Sequence, residues 1–411
     1  MTMDVRVLRP DDWDHWYGRL ELAFGGVPGS AEERALDREL TSFDRSLAVW
    51  DGDEVVGSAG AFPFRMSVPG GAFVPAAGVT MVGVVATHRR RGVLTAMMRR
   101  QLDDVRSWGE PLAVLTASEP AIYGRFGYGV ATHRLHLTVD SSQVRIGAPE
   151  GTDAVRMRYG DPAEAAGRCE EVYLRTVGAR PGMFARTPGW ERQPLLDPEG
   201  ERGGASPLQC VLAERDGETV GYARFAVKPE YDAEFSVVRG TVLAHDVTAL
   251  DPAAYAALWR FLCAIDLTDT VRARNRPVDD PLLSLVSDVR RCRVSLRDSL
   301  HVRPVEVGAA LEARTYLTPV DVVFEVEDDF CPWNAGRWRL SGDAKGASCT
   351  RTTDAADLAL SVGELGAAYL GGVSLTGLAG AGRVRELRAG ALAHASVAFG
   401  SAVAPWLPHG F

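Results

Sequence analysis

The chain predicts a mixed α/β fold built in layers, with more than one domain. Three observations carry that reading. Residues 79–107, VTMVGVVATHRRRGVLTAMMRRQLDDVRS, change from strand to helix periodicity across a basic turn. Residues 47–62 (LAVWDGDEVVGSAGAF) and 211–226 (VLAERDGETVGYARFA) share a strand, an acidic-glycine turn and then x-V-G-x-A. The 411 residues exceed one typical hydrophobic core, so two or three domains are expected.

In chain order, residues 4–8 read as a strand. Asp11 or Asp12 then caps a helix that runs to about Phe24 and stops at Gly25-Gly26. A second helix is expected over 31–43. Strands 47–50 and 55–64 flank Asp51-Gly52-Asp53 as a hairpin, and a separate short strand is expected at 65–68. In the central stretch Val79, Met81, Val82, Val84 and Val85 form an apolar, largely β-branched run of strand type. Val93, Leu94, Met97, Met98, Leu102 and Val105 then fall on one helical face, with Arg and Asp elsewhere at i,i+4 spacing. Strand 112–117 leads to I-Y-G-R-F-G-Y-G at 122–129, and strand 135–139 is expected to close the first unit.

The polar stretch 140–155 marks a boundary. A second unit follows, with strand 155–159, helix 162–177, the repeated hairpin, strand 240–248 and helix 253–266. The matched order of elements suggests a degenerate internal duplication. From about 300 the pattern changes. Strands are expected at 301–306, 321–326, 337–340 and 357–360, with a hairpin-like turn at Asn334-Ala335-Gly336. Helices are expected at 362–369, 375–379, 382–388 and 392–399. The segment SAVAPWLPHGF is unusually apolar for a free terminus. The domains expected are therefore 1–145, 146–298 and 299–411.

Composition narrows the function classes. A net charge of −9 argues against nucleic acid as a partner. Six scattered cysteines with no C-x-x-C pair argue against a zinc site or a disulfide framework and fit a reducing cytoplasm. No signal peptide and no run of about 18 apolar residues is seen, so a cytoplasmic protein without membrane segments is expected.

The chemistry concentrates at the central stretch. First-turn N–H groups of a helix have no intrahelical partner, and the helix dipole is positive there. A pyrophosphate suits such an end, with Gly92 allowing close approach and the arginines adding charge. An ordinary βα turn with a solvated Arg cluster is the plain alternative. No G-x-x-x-x-G-K-[ST] and no strand-linked G-x-G-x-x-G occurs, which argues against Walker and Rossmann sites. The second unit has Asp246 and Asp251 where the first has its arginines, so one cofactor site per chain is expected, in the first unit. In IYGRFGYG, Tyr123 reads equally as an acid over a ligand or as packing, and Tyr128 reads as packing. His133, His136, His245 and His409 read as structural.

The turn resembles the acetyl-CoA signature R/Q-x-x-G-x-G/A of the GNAT acyltransferases. Arg89, Arg91 and Gly92 fit its first half, and Leu94 stands where Gly or Ala is usual. THRRRG, ASEPAIYGRFGYG, the degenerate second unit and the terminal Phe together resemble the Eis (enhanced intracellular survival) acetyltransferases over essentially the whole chain. That resemblance implies two tandem GNAT domains and a sterol carrier protein-like C-terminal domain, assembled as a homohexamer, a trimer of dimers. It implies a metal-free acetyl-CoA site at Val82, Gly83, Val84, Arg90, Arg91, Gly92, Val93, Leu94, Thr95, Ser118 and Glu119. It also implies Tyr123 as general acid and the Phe411 carboxylate as general base, acting on an amine of a small molecule or peptide, aminoglycoside-like or lysine-like. Gly410, and approximately Gly26, replace acidic residues that help family members hold cationic amines, which puts those substrates in doubt. The competing expectation is a carrier protein that holds an apolar ligand in its C-terminal domain, with vestigial acyltransferase units.

Overall fold

The computed structural model describes residues 4–232 and 237–411 of the chain. The first stretch contains β1 (Asp4–Val7), α1 (Trp13–Ala23), α2 (Ala31–Leu40), β2 (Leu47–Asp51), β3 (Glu54–Ser67), β4 (Phe73–Val84), α3 (Val93–Ser107), β5 (Leu112–Thr116) and β6 (Gly129–Val130). The middle stretch contains β7 (His133–Asp140), β8 (Arg156–Gly160), α4 (Ala166–Val177), β9 (Phe184–Ala185), β10 (Gln209–Arg215), β11 (Glu218–Asp232), β12 (Val237–Ala249), α5 (Pro252–Cys263), β13 (Thr270–Arg276), α6 (Leu282–Leu285) and β14 (Cys292–Asp298). The last contains β15 (Leu300–Pro304), α7 (Val307–Glu312), β16 (Val320–Glu327), β17 (Gly336–Asp343), β18 (Gly346–Arg351), β19 (Leu358–Ser361), α8 (Val362–Ala368), α9 (Leu375–Gly380), β20 (Val384–Glu386) and α10 (Ala391–Ala398).

Among the described residues these strands form three sheets. The first has the order β1-β2-β3-β4-β5-β15-β6, with β9 paired to β3. The second has the order β14-β7-β13-β12-β11-β10-β8, and the third β18-β17-β16-β19-β20. The duplication is visible in the backbone. Each acidic-glycine hairpin shifts register just before its turn, at Val49/Trp50 in β2–β3 and at Ala213/Glu214 in β10–β11. In each unit the long antiparallel pair is followed by a helix, α3 or α5, and a parallel strand, β5 or β13.

Several expectations are corrected. The strand at 135–139 does not close the first unit. As β7 it lies in the second sheet, between β13 and β14. The strand at 301–306, expected in the third unit, is β15 and pairs with β5 and β6 of the first sheet. The two sheets thus exchange strands, which periodicity cannot report because it carries no pairing information. Residues 65–67 continue β3, because the pairing with β4 runs on through Arg65↔Pro75 to Ser67↔Phe73. Residues 384–386 form β20 rather than a helix, held antiparallel against β19. The second helix ends at Leu40, and its start is secured by a Ser30–Glu33 capping box. The hairpin-like turn at 334–336 is a short 3-10 turn over Pro332–Asn334, with β17 starting at Gly336.

The largest core cluster joins the first and third sheets. Phe62, Phe64 and Met66 of β3 share it with Val322 and Phe324 of β16, Leu365 of α8 and Leu407 near the chain end. The second sheet has its own core around Phe225, Leu258 and Trp259. The tail is therefore anchored where the units meet.

Candidate active site

The splayed strand is the foundation of the site. β4 pairs in parallel with β5 only at Ala76↔Leu112, Ala77↔Ala113 and Gly78↔Val114. β4 nevertheless continues to Val84, paired on its other edge with β3 as far as Gly57↔Val84. Beyond Gly78 its β5-facing backbone groups leave the ladder. A register shift opposite Ser58/Gly60 and a left-handed φ of +52° at Met81 mark a bulge at this point. A bulge re-aims the backbone, which is why the strand edge opens here and not elsewhere.

The turn after β4 ends on Gly92, with φ +84°, the N-cap of α3. No side chain caps this helix, so its first N–H groups stay available. Arg90 also has a positive φ, +62°. Arg89 ties the turn to its surroundings through bonds to the carbonyls of Val84 (3.3 Å) and Ala23 (3.2 Å). His88 lies 3.1 Å from the Asp51 carboxylate. Buried Val93, Met97, Met98, Leu102 and Val105 seat α3 against the sheet, as the helical periodicity predicts.

A cavity of about 960 Å³ opens between these elements. Val82, Gly83, Val84, Arg90, Gly92, Val93, Leu94, Thr95, Ser118, Glu119, Tyr123 and Phe411 all line it. Arg91 is exposed and lies outside the lining. Ala23, Phe24, Thr80, Met81, Thr116, Ile122 and Arg125 line the cavity too, and sequence reasoning missed them. Ala23 and Phe24 come from the end of α1 and Thr116 from the end of β5, while Thr80 and Met81 are placed by the bulge and Ile122 and Arg125 by the 3-10 turn, neither of which leaves a periodicity signal.

Tyr123 sits on the 3-10 segment Pro120–Phe126, which Gly127 closes with φ +83°. A buried polar network fixes this segment. Arg303 of β15 donates from Nε to the Phe126 carbonyl (3.2 Å), and its Nη2 meets both oxygens of Asp328 at 2.9 and 2.8 Å. Asn334 donates to the same carboxylate at 3.0 Å. Arg303 and Asn334 are fully buried and Asp328 nearly so, and an ion pair with further hydrogen bonds offsets the cost of burying charge. A Cβ at Gly127 would come 2.8 Å from Val362, so the turn packs closely on α8. Burial, with Glu119 nearby, raises the Tyr123 hydroxyl above its ordinary value. Tyr128 is buried core, edge-on to Tyr123 with ring centroids 5.9 Å apart, as the packing expectation holds.

Phe411 reaches the cavity from the other end of the chain. Its ring packs edge-on against Phe64 (5.1 Å) and Phe184 (5.4 Å). The approach is secured by the second unit. Asn275 donates to the Pro408 carbonyl (2.6 Å), Trp406 Nε1 donates to the Asn275 carbonyl (3.0 Å), and Arg180 donates to the Ala404 carbonyl (2.5 Å). His409 sits among the rings of Tyr173, Phe184 and Trp190. Its Nδ1 lies 3.2 Å from the Gly410 carbonyl, and its Nε2 accepts from Arg186 at 3.5 Å. Those partners select the neutral ring protonated on Nδ1. Burial first, then Arg186, push its pKa down to about 3.

Among the described residues no group of three His, Cys, Asp or Glu is placed to hold a metal, and no helix is long and apolar enough to cross a membrane.

Comparisons with known proteins identify the domains that carry this arrangement. Residues 4–131 and 182–304 each match an acetyltransferase (GNAT) domain family, and residues 307–408 match a sterol carrier protein domain. The chain is 69% identical to a protein of Streptomyces avermitilis named an uncharacterized N-acetyltransferase, covering all of both chains. It is 34% identical to N-acetyltransferase Eis of Mycobacterium tuberculosis, covering 98% of each. The crystal structure of Eis1 from Mycobacterium abscessus superposes with a TM-score of 0.85 at 34% identity, covering all of both chains. The chain is an N-acetyltransferase with two GNAT domains and a C-terminal sterol carrier protein-like domain. It belongs to the Eis family of the GNAT superfamily.

Proposed function

We propose that this enzyme transfers an acetyl group from acetyl-CoA directly to an amine of a small molecule, with Tyr123 as general acid and the Phe411 carboxylate as general base. The observation that carries the reading is the meeting of Tyr123, Phe411 and the α3 N-terminus around one cavity. Acetyl-CoA supplies the activated thioester. The residues present suit it: an uncapped helix end, Arg90 at the turn, and backbone groups released by the splay. Backbone N–H groups of Val82–Val84 are the candidate donors to the developing oxyanion. The amine nitrogen bonds to the acetyl carbon as the carbon–sulfur bond breaks. The amine proton leaves to the Phe411 carboxylate, directly or through water, and the Tyr123 hydroxyl protonates the departing thiolate. Its raised pKa keeps it protonated, as an acid requires.

The test is thiol release from acetyl-CoA in the presence of an amine panel, with calorimetry for acetyl-CoA affinity. Adding a few residues after Phe411 is expected to abolish turnover and leave that affinity largely unchanged. Full activity of the extended chain removes Phe411 from the mechanism. By the same family relationship we propose a homohexamer, a trimer of dimers, in the cytoplasm. Light scattering of the purified protein checks the assembly.

A further inference from the structure

The chemistry lining the two ends of the cavity differs, and the difference bears on the acceptor. This argument rests on the reading above, in which the Phe411 carboxylate receives the amine proton. The arginine turn and α3 form one end. At the other end Phe411 is set among Phe64, Phe184 and Met81, within one apolar cluster. Phe64 and Phe184 are themselves buried, so the apolar surface offered to the cavity comes from Met81, Phe411 and Phe24, which is 60% exposed.

Negative charge is scarce. Among the described residues Glu119 is the one acidic side chain in the lining, and it belongs with Ser118 and Tyr123 on the β5 side. Apart from Glu119, the cavity therefore offers a single anion, the chain-terminal carboxylate, beside the rings of Phe24 and Phe411. One ammonium can pair with that carboxylate and gain from the aromatic faces. A second or third ammonium on the same molecule would be desolvated against apolar walls without a partner. Arg90 and Arg125, also in the lining, oppose any additional positive charge.

We infer that the acceptor is a primary amine bearing one positive charge on an aromatic or aliphatic body, and not a polycation. The apolar body lies against Phe24, Met81 and the Phe411 ring, and the amine points at the Phe411 carboxylate. The exposed position of Phe24 lets the body project towards solvent, so length along that direction is tolerated.

The experiment compares 2-phenylethylamine, n-hexylamine and spermidine as acceptors for the full-length enzyme, by thiol release at matched ionic strength. The monoamines are expected to exceed spermidine in kcat/KM by at least about tenfold. Spermidine equal to or better than both monoamines overturns the inference and leaves the proposed acetyl transfer standing. Failure of every amine, with no acetyl-CoA binding in calorimetry, overturns the acetyl transfer itself. A second variant sharpens the test. Phe24→Glu places a carboxylate on the exposed wall and is expected to lower the 2-phenylethylamine to spermidine ratio by about tenfold. An unchanged ratio, with turnover retained, overturns the role of this wall in acceptor choice.

Discussion

The two GNAT units share one plan and differ at the start of the helix after the long hairpin. In the first unit Gly92 leaves the α3 N-terminus uncapped. In the second, Asp251 caps α5 by accepting from Ala254 N–H at 2.9 Å, Pro252 occupies the first turn, and Arg215 pairs with Asp251 at 2.6 Å. The strand gap differs too. β12 and β13 pair from Thr241↔Thr270 to Ala244↔Ala273. Beyond that point buried Arg276 reaches across to the Val247 carbonyl (2.9 Å) while its Nε pairs with Asp280 at 2.7 Å. The tail then docks on Asn275. The second unit has filled with its own side chains the features that open the first. A duplicated fold keeps its binding site only where the helix dipole and the strand edge stay unsatisfied. The filled copy has become the support for the chain end.

The comparison breaks most directly at Gly92. Gly92→Asp puts at α3 the carboxylate that closes α5, and is expected to weaken acetyl-CoA about 100-fold in calorimetry, since like charges brought together cost several kcal/mol. Gly92→Asn keeps a residue that tolerates the left-handed backbone and adds no charge, so its loss should be about tenfold smaller. Equal losses would show that charge is not the cause.

Tyr123→Phe is expected to lower kcat about 100-fold or more, with acetyl-CoA affinity little changed. Because burial raises the Tyr123 hydroxyl above its ordinary value, the wild-type kcat should fall only in more alkaline solution than an ordinary tyrosine would set. That basic limb should vanish in the variant. Wild-type kcat in Tyr123→Phe returns the residue to a packing role.

His409 tests the supporting role of the second unit. Its folded pKa of about 3 lies below the ordinary 6.5, so the unfolded chain takes up a proton that the folded chain resists. Its contribution is complete above pH 6.5 and is lost as pH falls towards 3. Melting temperature should decline over that window in the wild type and decline less in His409→Gln. Parallel curves would remove His409 from the acid sensitivity.

The smallest effect is expected at the closed site. Asp251→Ala should cost about 1 kcal/mol in denaturant unfolding, the usual value of a helix cap. It should leave acetyl-CoA affinity unchanged, because Arg276 and the tail still fill the gap.

Much of this was legible in one dimension. The strand-to-helix change across 79–107 located the cavity wall, the helical face seated α3 as read, and the repeated hairpin revealed the duplication. Those signals are local, since period and turn chemistry depend on residues a few positions apart. The glycine-rich motif left Tyr123 evenly between acid and packing, and family resemblance gave it and Phe411 their roles. Nothing in their spacing relates residue 123 to residue 411.

What the sequence by itself determined is the class of fold, the position of the open helix end and the sign of charge beside it. The tertiary structure alone decided where strands 133–140 and 300–304 go. Pairing partners are chosen by exposed edges, and each strand completes the other unit's sheet. It decided that β4 parts from β5 after Gly78, because the bulge at Met81 is a backbone property with no residue signature. It also decided the surroundings of Phe411, which depend on Asn275, His409 and Phe184 converging from distant parts of the chain. An apolar tail predicts burial. Only packing says against what.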